Sequence, residues 1–300
     1  MTVEELEPVC AAVAGPDGAC LLRFLRDIYH QRPAPAYEAY SEATVAQTLR
    51  LGLIDQPRPP FALTSAGYLV GNVAKEYHNW IDSGRRMPPP RPPDELIAGR
   101  DVLDLGCSFG RWIWEFSRQA RSVVGLEFQP EYVQLGRALA ACEGLPPPDI
   151  RVGSAEDLDR YFPQACFDFV FCRLMLNHVA IRSTLGRIAG VLRSGGTLWV
   201  QVESLGSAVQ KLLHGERRWR SRAFAGFALI NSLVCMATNH QLNLRVQGRM
   251  HSAHRPAYPS TRWWQKAAAA EGLDAFNVRH ERDSNLTFSV RRRGFGLRQD

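Results

Sequence analysis

One run of residues constrains this chain more than any other: Val102-Leu103-Asp104-Leu105-Gly106-Cys107-Ser108-Phe109-Gly110-Arg111-Trp112. It reads as a short apolar strand, a tight turn of small residues and the start of a helix. Small side chains at 106, 108 and 110 let a ligand come close to the backbone. The helix opening at Arg111 turns its unpaired N–H groups toward that turn. Asp104 stands at the strand's end, where a carboxylate can meet an amine. A second apolar strand, Ser122-Val123-Val124-Gly125-Leu126-Glu127, also ends in an acid. It follows the turn by about 20 residues, the place of a ribose-binding carboxylate in nucleotide-binding βαβ units.

A dinucleotide site would need G-x-G-x-x-G to cradle a pyrophosphate. Here Gly110 is followed by Arg111, Trp112 and Ile113, and Asp104 would repel the phosphates. "VLDLGCSFGRW" followed by "VVGLE" instead resembles the class I S-adenosylmethionine-dependent methyltransferases. Ser108 departs from the glycine usual there, at an expected small cost. The resemblance implies that Asp104 serves the methionine end, that Gly106, Cys107, Ser108 and Gly110 shape the cofactor loop, and that Glu127 with Phe128 holds the ribose side. Ser154-Ala155-Glu156-Asp157 follows the third strand, where such proteins hold adenine. Ala155 would offer its N–H, and Glu156 or Asp157 would accept from the adenine amino group. The same acids also suit a cap on the next helix.

Strand and helix patterns alternate from Asp101 to Glu203, which predicts a parallel sheet covered on both faces. Strands are expected at 101–105, 123–127, 150–153, 167–172, 196–203, 275–280 and 286–291. The last two are joined by a turn at 283–285, so the sheet should end in an antiparallel hairpin. A Rossmann-like seven-stranded methyltransferase sheet is what the resemblance implies. The boundary is placed in the proline-rich stretch 87–93, giving a domain of residues 1–90 and a methyltransferase domain of 91–300 with a helical lid insertion at 205–262. The front segment reads as helices around two short strands near 53–55 and 61–63, a layout like a winged helix. It holds more acids than bases, so a dimerisation or substrate-covering role is expected ahead of DNA reading.

Phe167-Asp168-Phe169-Val170-Phe171-Cys172-Arg173 matches the fourth-strand motif, placing Cys172 and Arg173 beside the cofactor. The helix after it opens Leu174-Met175-Leu176-Asn177-His178-Val179. His178 matches a histidine shared by many small-molecule methyltransferases, and a near-neutral imidazole suits a base for the acceptor's proton. Methyl transfer depends chiefly on alignment, so His178 also suits a purely packing role. Asn177 is placed near the acceptor. Tyr77 and Trp80, together with His78, read either as aromatic cover for a sulfonium or as core contacts. In the insertion, His251, His254 and Tyr258 are candidate substrate contacts. The two histidines lack a third ligand nearby, so no metal is expected.

The chain has 300 residues and a net charge of +6. The excess sits in residues 205–300, with 16 basic and 6 acidic side chains. An RNA methyltransferase using that basic third is one alternative, though no motif for a flipped base accompanies it. A winged-helix regulator with a vestigial cofactor domain is another. Seven cysteines without zinc spacing predict free thiols in a reducing compartment, hence the cytoplasm. The apolar run Ala223–Ala237 is too short to span a bilayer, and no membrane partner is expected. The expected function is methyl transfer from S-adenosylmethionine to O or N of a small organic acceptor, such as a natural-product intermediate. The expected partners are that acceptor and a second copy of the chain.

Overall fold

The computed structural model describes residues 2–87, 89–214, 219–243, 255–280 and 285–293. Packing gathers the chain into two units. One holds Met1–Arg91, Cys107–Arg118 and Gln129–Val152; the other holds Pro92–Gly106, Gln119–Phe128 and Gly153–Asp300.

In chain order the elements are α1 (Val3–Ala14), α2 (Gly18–Tyr29), α3 (Glu42–Arg50), α4 (Ser65–Asp82), β1 (Asp101–Leu105), α5 (Arg111–Phe116), β2 (Ser122–Glu127), α6 (Pro130–Glu143), β3 (Ile150–Val152), α7 (Leu158–Tyr161), β4 (Phe167–Arg173), α8 (Ile181–Val191), β5 (Leu192–Glu203), α9 (Leu205–His214), α10 (Trp219–Thr238), α11 (Thr261–Ala270), β6 (Leu273–His280) and β7 (Asn285–Arg292). The seven strands form one sheet in the order β3-β2-β1-β4-β5-β7-β6. β1 pairs in parallel with β2 and β4, and β4 with β5, while β7 runs antiparallel to both β5 and β6. This is the mixed sheet with a terminal hairpin that the strand pattern predicts. The expected turn at 283–285 falls mostly outside the described residues.

In the first unit, α1 opens with a capping box: Glu5 N–H donates to Thr2 Oγ1 at 3.2 Å, and Thr2 N–H to the Glu5 carboxylate at 2.7 Å. Leu6, Val9 and Val13, spaced three and four apart, are buried, and α1 packs on α6. α2 packs on α4 through Leu21, Leu22, Leu25 and Ile28. The two short strands expected near 54 and 62 reduce to one antiparallel bridge, Ile54 with Leu63. α4 is capped by Thr64 and runs unbroken to Asp82. His78 on α4 is buried. Desolvation, reinforced by the charge of Arg26, holds its imidazole down to about 4, so it is neutral near pH 7.

In the second unit, one face of the sheet carries Leu103, Leu105, Leu126, Val170, Cys172, Leu198 and Val200 against α8 and α11. Their alternation along each strand puts every second residue into this core. At the starting edge of the strands, Asp101 accepts from Arg121, from Arg193 at 2.9 Å and from Ser122 at 2.8 Å. Asp168 accepts from the Asp101 N–H at 3.0 Å and pairs with Arg193 at 2.9 Å. Among the described residues no single helix is long and apolar enough to cross a membrane.

Candidate functional site

The parallel ladder levels the strand ends. Leu105 stands opposite Leu126 on one side and Cys172 on the other, and Arg173 stands opposite Gln201. One step on, Gly106, Glu127, Arg173 and Gln201 therefore share a row at the carboxyl edge, where ligands of open α/β sheets bind. Asp104 and Glu127 are both buried at this edge, at 1% and 9% exposure. The Arg173 Nε–H donates to Gln201 Oε1 at 2.7 Å. Burial pushes the Cys172 thiol far up, and the neighbouring Asp104 charge adds to that, so the thiol stays protonated. Cys172 is thus a core group, fully buried beneath the edge.

The turn after β1 needs its glycines. Gly106 has φ +77° and donates its N–H to the Leu126 carbonyl at 2.8 Å. A Cβ there would lie 2.9 Å from Met175 Cγ. Gly110 has φ +89°, and a Cβ on it would lie 2.8 Å from Pro148 Cβ. Ser108 adopts φ +53°, in the left-handed region. That conformation costs an L-residue roughly 1 kcal/mol or more, so the departure from glycine is less cheap than expected. Leu174, just past β4, is also left-handed at φ +55°, and its N–H donates to the Gln201 carbonyl at 2.7 Å.

The segment after β3 is tied to the end of β2, since the Gly153 N–H donates to the Glu127 carbonyl at 2.8 Å. Ser154 Oγ accepts from the Glu156 N–H at 3.1 Å and shapes the turn. The Glu156 carboxylate accepts from the Ala180 N–H at 2.9 Å, just before α8, and lies 3.4 Å from Arg255. The expected cap on the following helix is not what this acid makes: α7 begins after Asp157 without a side-chain cap bond, and Glu156 reaches the more distant Ala180 instead. Asp157 is more open, with Arg160 at 3.6 Å, and Ala155 is buried between them.

Past β4, Asn177 is fully buried and spent on the backbone. Its Nδ2 donates to the Ala257 carbonyl at 2.7 Å and the Glu203 carbonyl at 3.3 Å, and its Oδ1 accepts from the Glu203 N–H at 2.8 Å. This is a correction to its expected substrate contact: it clasps β5 to residues 256–258. The clasp brings Tyr258 beside Glu203, to which the phenol is hydrogen-bonded; burial and that carboxylate push the phenol well above its usual range. His178 sits in the same short turn as Asn177, its N–H donating to the Met175 carbonyl at 2.9 Å. Glu203 was not singled out from sequence, yet it ends its strand in an acid as β1 and β2 nearly do. That repeated signal would have found it.

Tyr77 and Trp80 take the core reading in place of the substrate contact. The Tyr77 hydroxyl donates to Glu143 on α6, and Trp80 packs on Trp114 with ring centroids 5.4 Å apart. Both side chains are buried. His251 and His254 lie outside the described residues. A cavity of about 390 Å³ lies over β5 and β7 near Leu96, lined by Thr197, Trp199 and Ser289. It holds none of the site residues above.

Residues 103–200 match the family model described as "Methyltransferase domain". The chain is 36% identical over 105 residues to a ubiquinone biosynthesis O-methyltransferase of Xanthomonas euvesicatoria, covering 35% of this chain and 43% of that protein. It is 29% identical over 103 residues to the uncharacterized methyltransferase YcgJ of Bacillus subtilis, covering 34% and 40%. The chain thus spans less than half the length of these curated relatives. The crystal structure of YcgJ aligns over 65% of this chain and 93% of that one, with 16% identity and a TM-score of 0.44. Over residues 103–200 the chain is thus similar to methyltransferase domains.

Proposed function

We propose that this chain transfers the methyl group of S-adenosylmethionine to an oxygen or nitrogen of a small organic acceptor. The observation that carries the reading is the levelled edge, where Asp104 and Glu127 are buried on adjacent strands beside a turn that only glycine fits. Two buried carboxylates suit a ligand with an ammonium and vicinal hydroxyls. The residues present therefore fit the cofactor.

Bound there, S-adenosylmethionine would supply a methyl on a sulfonium: the acceptor's lone pair bonds to that carbon as its bond to sulfur breaks, and S-adenosylhomocysteine leaves. Asp104 holds the ammonium and Glu127 the ribose hydroxyls. Phe128, half-exposed after Glu127, and Ala155 with Asp157 flank the adenine. Gly106, Cys107, Ser108 and Gly110 bring the backbone close. Arg173 lines the edge, with Cys172 buried beneath it. His178 takes the proton that the acceptor loses, while the Tyr258–Glu203 pair orients the acceptor. The Xanthomonas relative is named an O-methyltransferase of ubiquinone biosynthesis, which supports oxygen as the atom methylated. A natural-product intermediate is the substrate class proposed.

The test is release of S-adenosylhomocysteine across a panel of phenols and amines, followed by mass spectrometry. Acceptor-dependent release with a mass gain of one methyl supports the reading. Cofactor binding without turnover of any acceptor, or no cofactor binding at all, contradicts it.

A further inference from the structure

The α10 helix is amphipathic the wrong way round. From Ala223 to Thr238 it carries no charged residue. Its two strongly polar side chains, Asn231 and Ser232, face inward and are fully buried. Asn231 Nδ2 donates to the Leu242 carbonyl at 3.1 Å and the Pro256 carbonyl at 3.0 Å. Ser232 Oγ donates to the Ala228 carbonyl at 2.5 Å and accepts from the Tyr258 N–H at 2.7 Å. The outward stripe is apolar instead. Ile230 is 58% exposed and Leu233 61%, with Ala223 and Ala237 exposed on the same face at helical spacing. A helix apolar all round is ordinarily covered all round. α9 packs on α10 at Ala208 and Ala228 and adds its own outward pair, Val209 and Leu213, the latter 62% exposed. Exposed apolar groups gathered in this way mark an interaction surface.

The charge pattern of the sequence says what covers it. Arg217, Arg218, Arg220 and Arg222 precede it in sequence, and residues 205–300 hold 16 bases against 6 acids. Two copies of this surface would bring like charge together. An anionic lipid surface offers both an apolar layer and negative headgroups. We propose that the α9–α10 pair seats the protein on an anionic bilayer, lying in its interface without crossing it. A surface-seated enzyme of this kind takes acceptors that partition into lipid. The seat itself does not depend on the methyl-transfer reading, because it is read without cofactor or acceptor.

The experiment is co-sedimentation of the full chain with sucrose-loaded vesicles of phosphatidylcholine alone or with 30% phosphatidylglycerol, a probe composition of roughly physiological negative charge. At least five times more protein is expected to pellet with the anionic vesicles, and added salt should release part of it. The double variant Ile230→Ser/Leu233→Ser, with an unchanged thermal melt, should lower the pelleted fraction at least five-fold; Leu213→Ser should lower it by a smaller factor. Three results overturn the proposal. The wild type stays in the supernatant. The double variant pellets as well as the wild type and both are displaced by single-stranded RNA, which shows a general polyanion surface. Or the wild type is a dimer in solution that the double variant dissociates, which shows that a second copy covers the stripe.

Discussion

Asp101 and Asp104 lie on one strand, a single turn of sequence apart, and belong to opposite ends of the sheet. Asp101 is held by Arg121, Arg193 and Ser122, and these partners keep its carboxyl far below the usual range, the Arg121 hydrogen bond foremost. Asp104 is buried at the carboxyl edge, in line with Gly125 and Phe171 and near Cys172. The starting edge is neutralised by arginines, and that neutrality serves the fold. The finishing edge gathers Asp104, Glu127 and Glu203. Under the proposed function an edge so rich in carboxylates suits a cationic ligand, since like charges brought together cost stability that a ligand restores.

Substitutions at the finishing edge should change binding and rate while leaving the melt nearly untouched. The largest effect is expected for His178→Ala, with kcat lowered by about 100-fold and no change in affinity for S-adenosylhomocysteine, read by steady-state kinetics and calorimetry. An unchanged kcat removes His178 from proton transfer. Glu127→Ala should weaken cofactor binding by about 30-fold, the loss of a charge-assisted hydrogen bond pair, with a melt like that of the wild type. A lowered melt with unaltered affinity would place Glu127 with Asp101 and dissolve the contrast.

Ser108→Gly sharpens it differently. Relief of the left-handed strain should raise stability by about 1 kcal/mol in denaturant titration, while affinity for the cofactor stays the same or falls. At the starting edge, Arg193→Gln should lower the melting temperature without touching affinity. Its sign with pH follows from the carboxyls it holds. Burial raises Asp168, but the Asp101 N–H and Arg193 outweigh it, and Asp101 is lowered as well. Their contribution is therefore present above the ordinary carboxylate value near 4 and is lost as pH falls below it. The Arg193→Gln protein should show the smaller loss of melting temperature between pH 5 and pH 3.

The strands and the acids that close them were legible because they depend on residues adjacent in sequence: apolar alternation, a terminal carboxylate and a glycine turn. What each polar side chain does was less so, because its partners are remote. Glu156 finds the Ala180 N–H, and Asn177 finds Ala257 across 80 residues. Nothing near Asn177 in sequence shows that the segment around Ala257 returns to it. Tyr77 and Trp80 read equally well as lining or as core, and only the packing of α4 on α5 and α6 separates the two. The inward-facing polar residues of α10 escaped notice for the same reason, since their partners Leu242, Pro256 and Tyr258 lie beyond the helix.

The contrast between the two edges rests on cofactor binding at the finishing one. Isothermal titration of the purified chain with S-adenosylhomocysteine and with S-adenosylmethionine tests it most directly. The account predicts saturable heat with one site for each ligand, abolished or strongly weakened in Glu127→Ala and retained in Arg193→Gln. No heat with either ligand, or heat unchanged in Glu127→Ala, would contradict it.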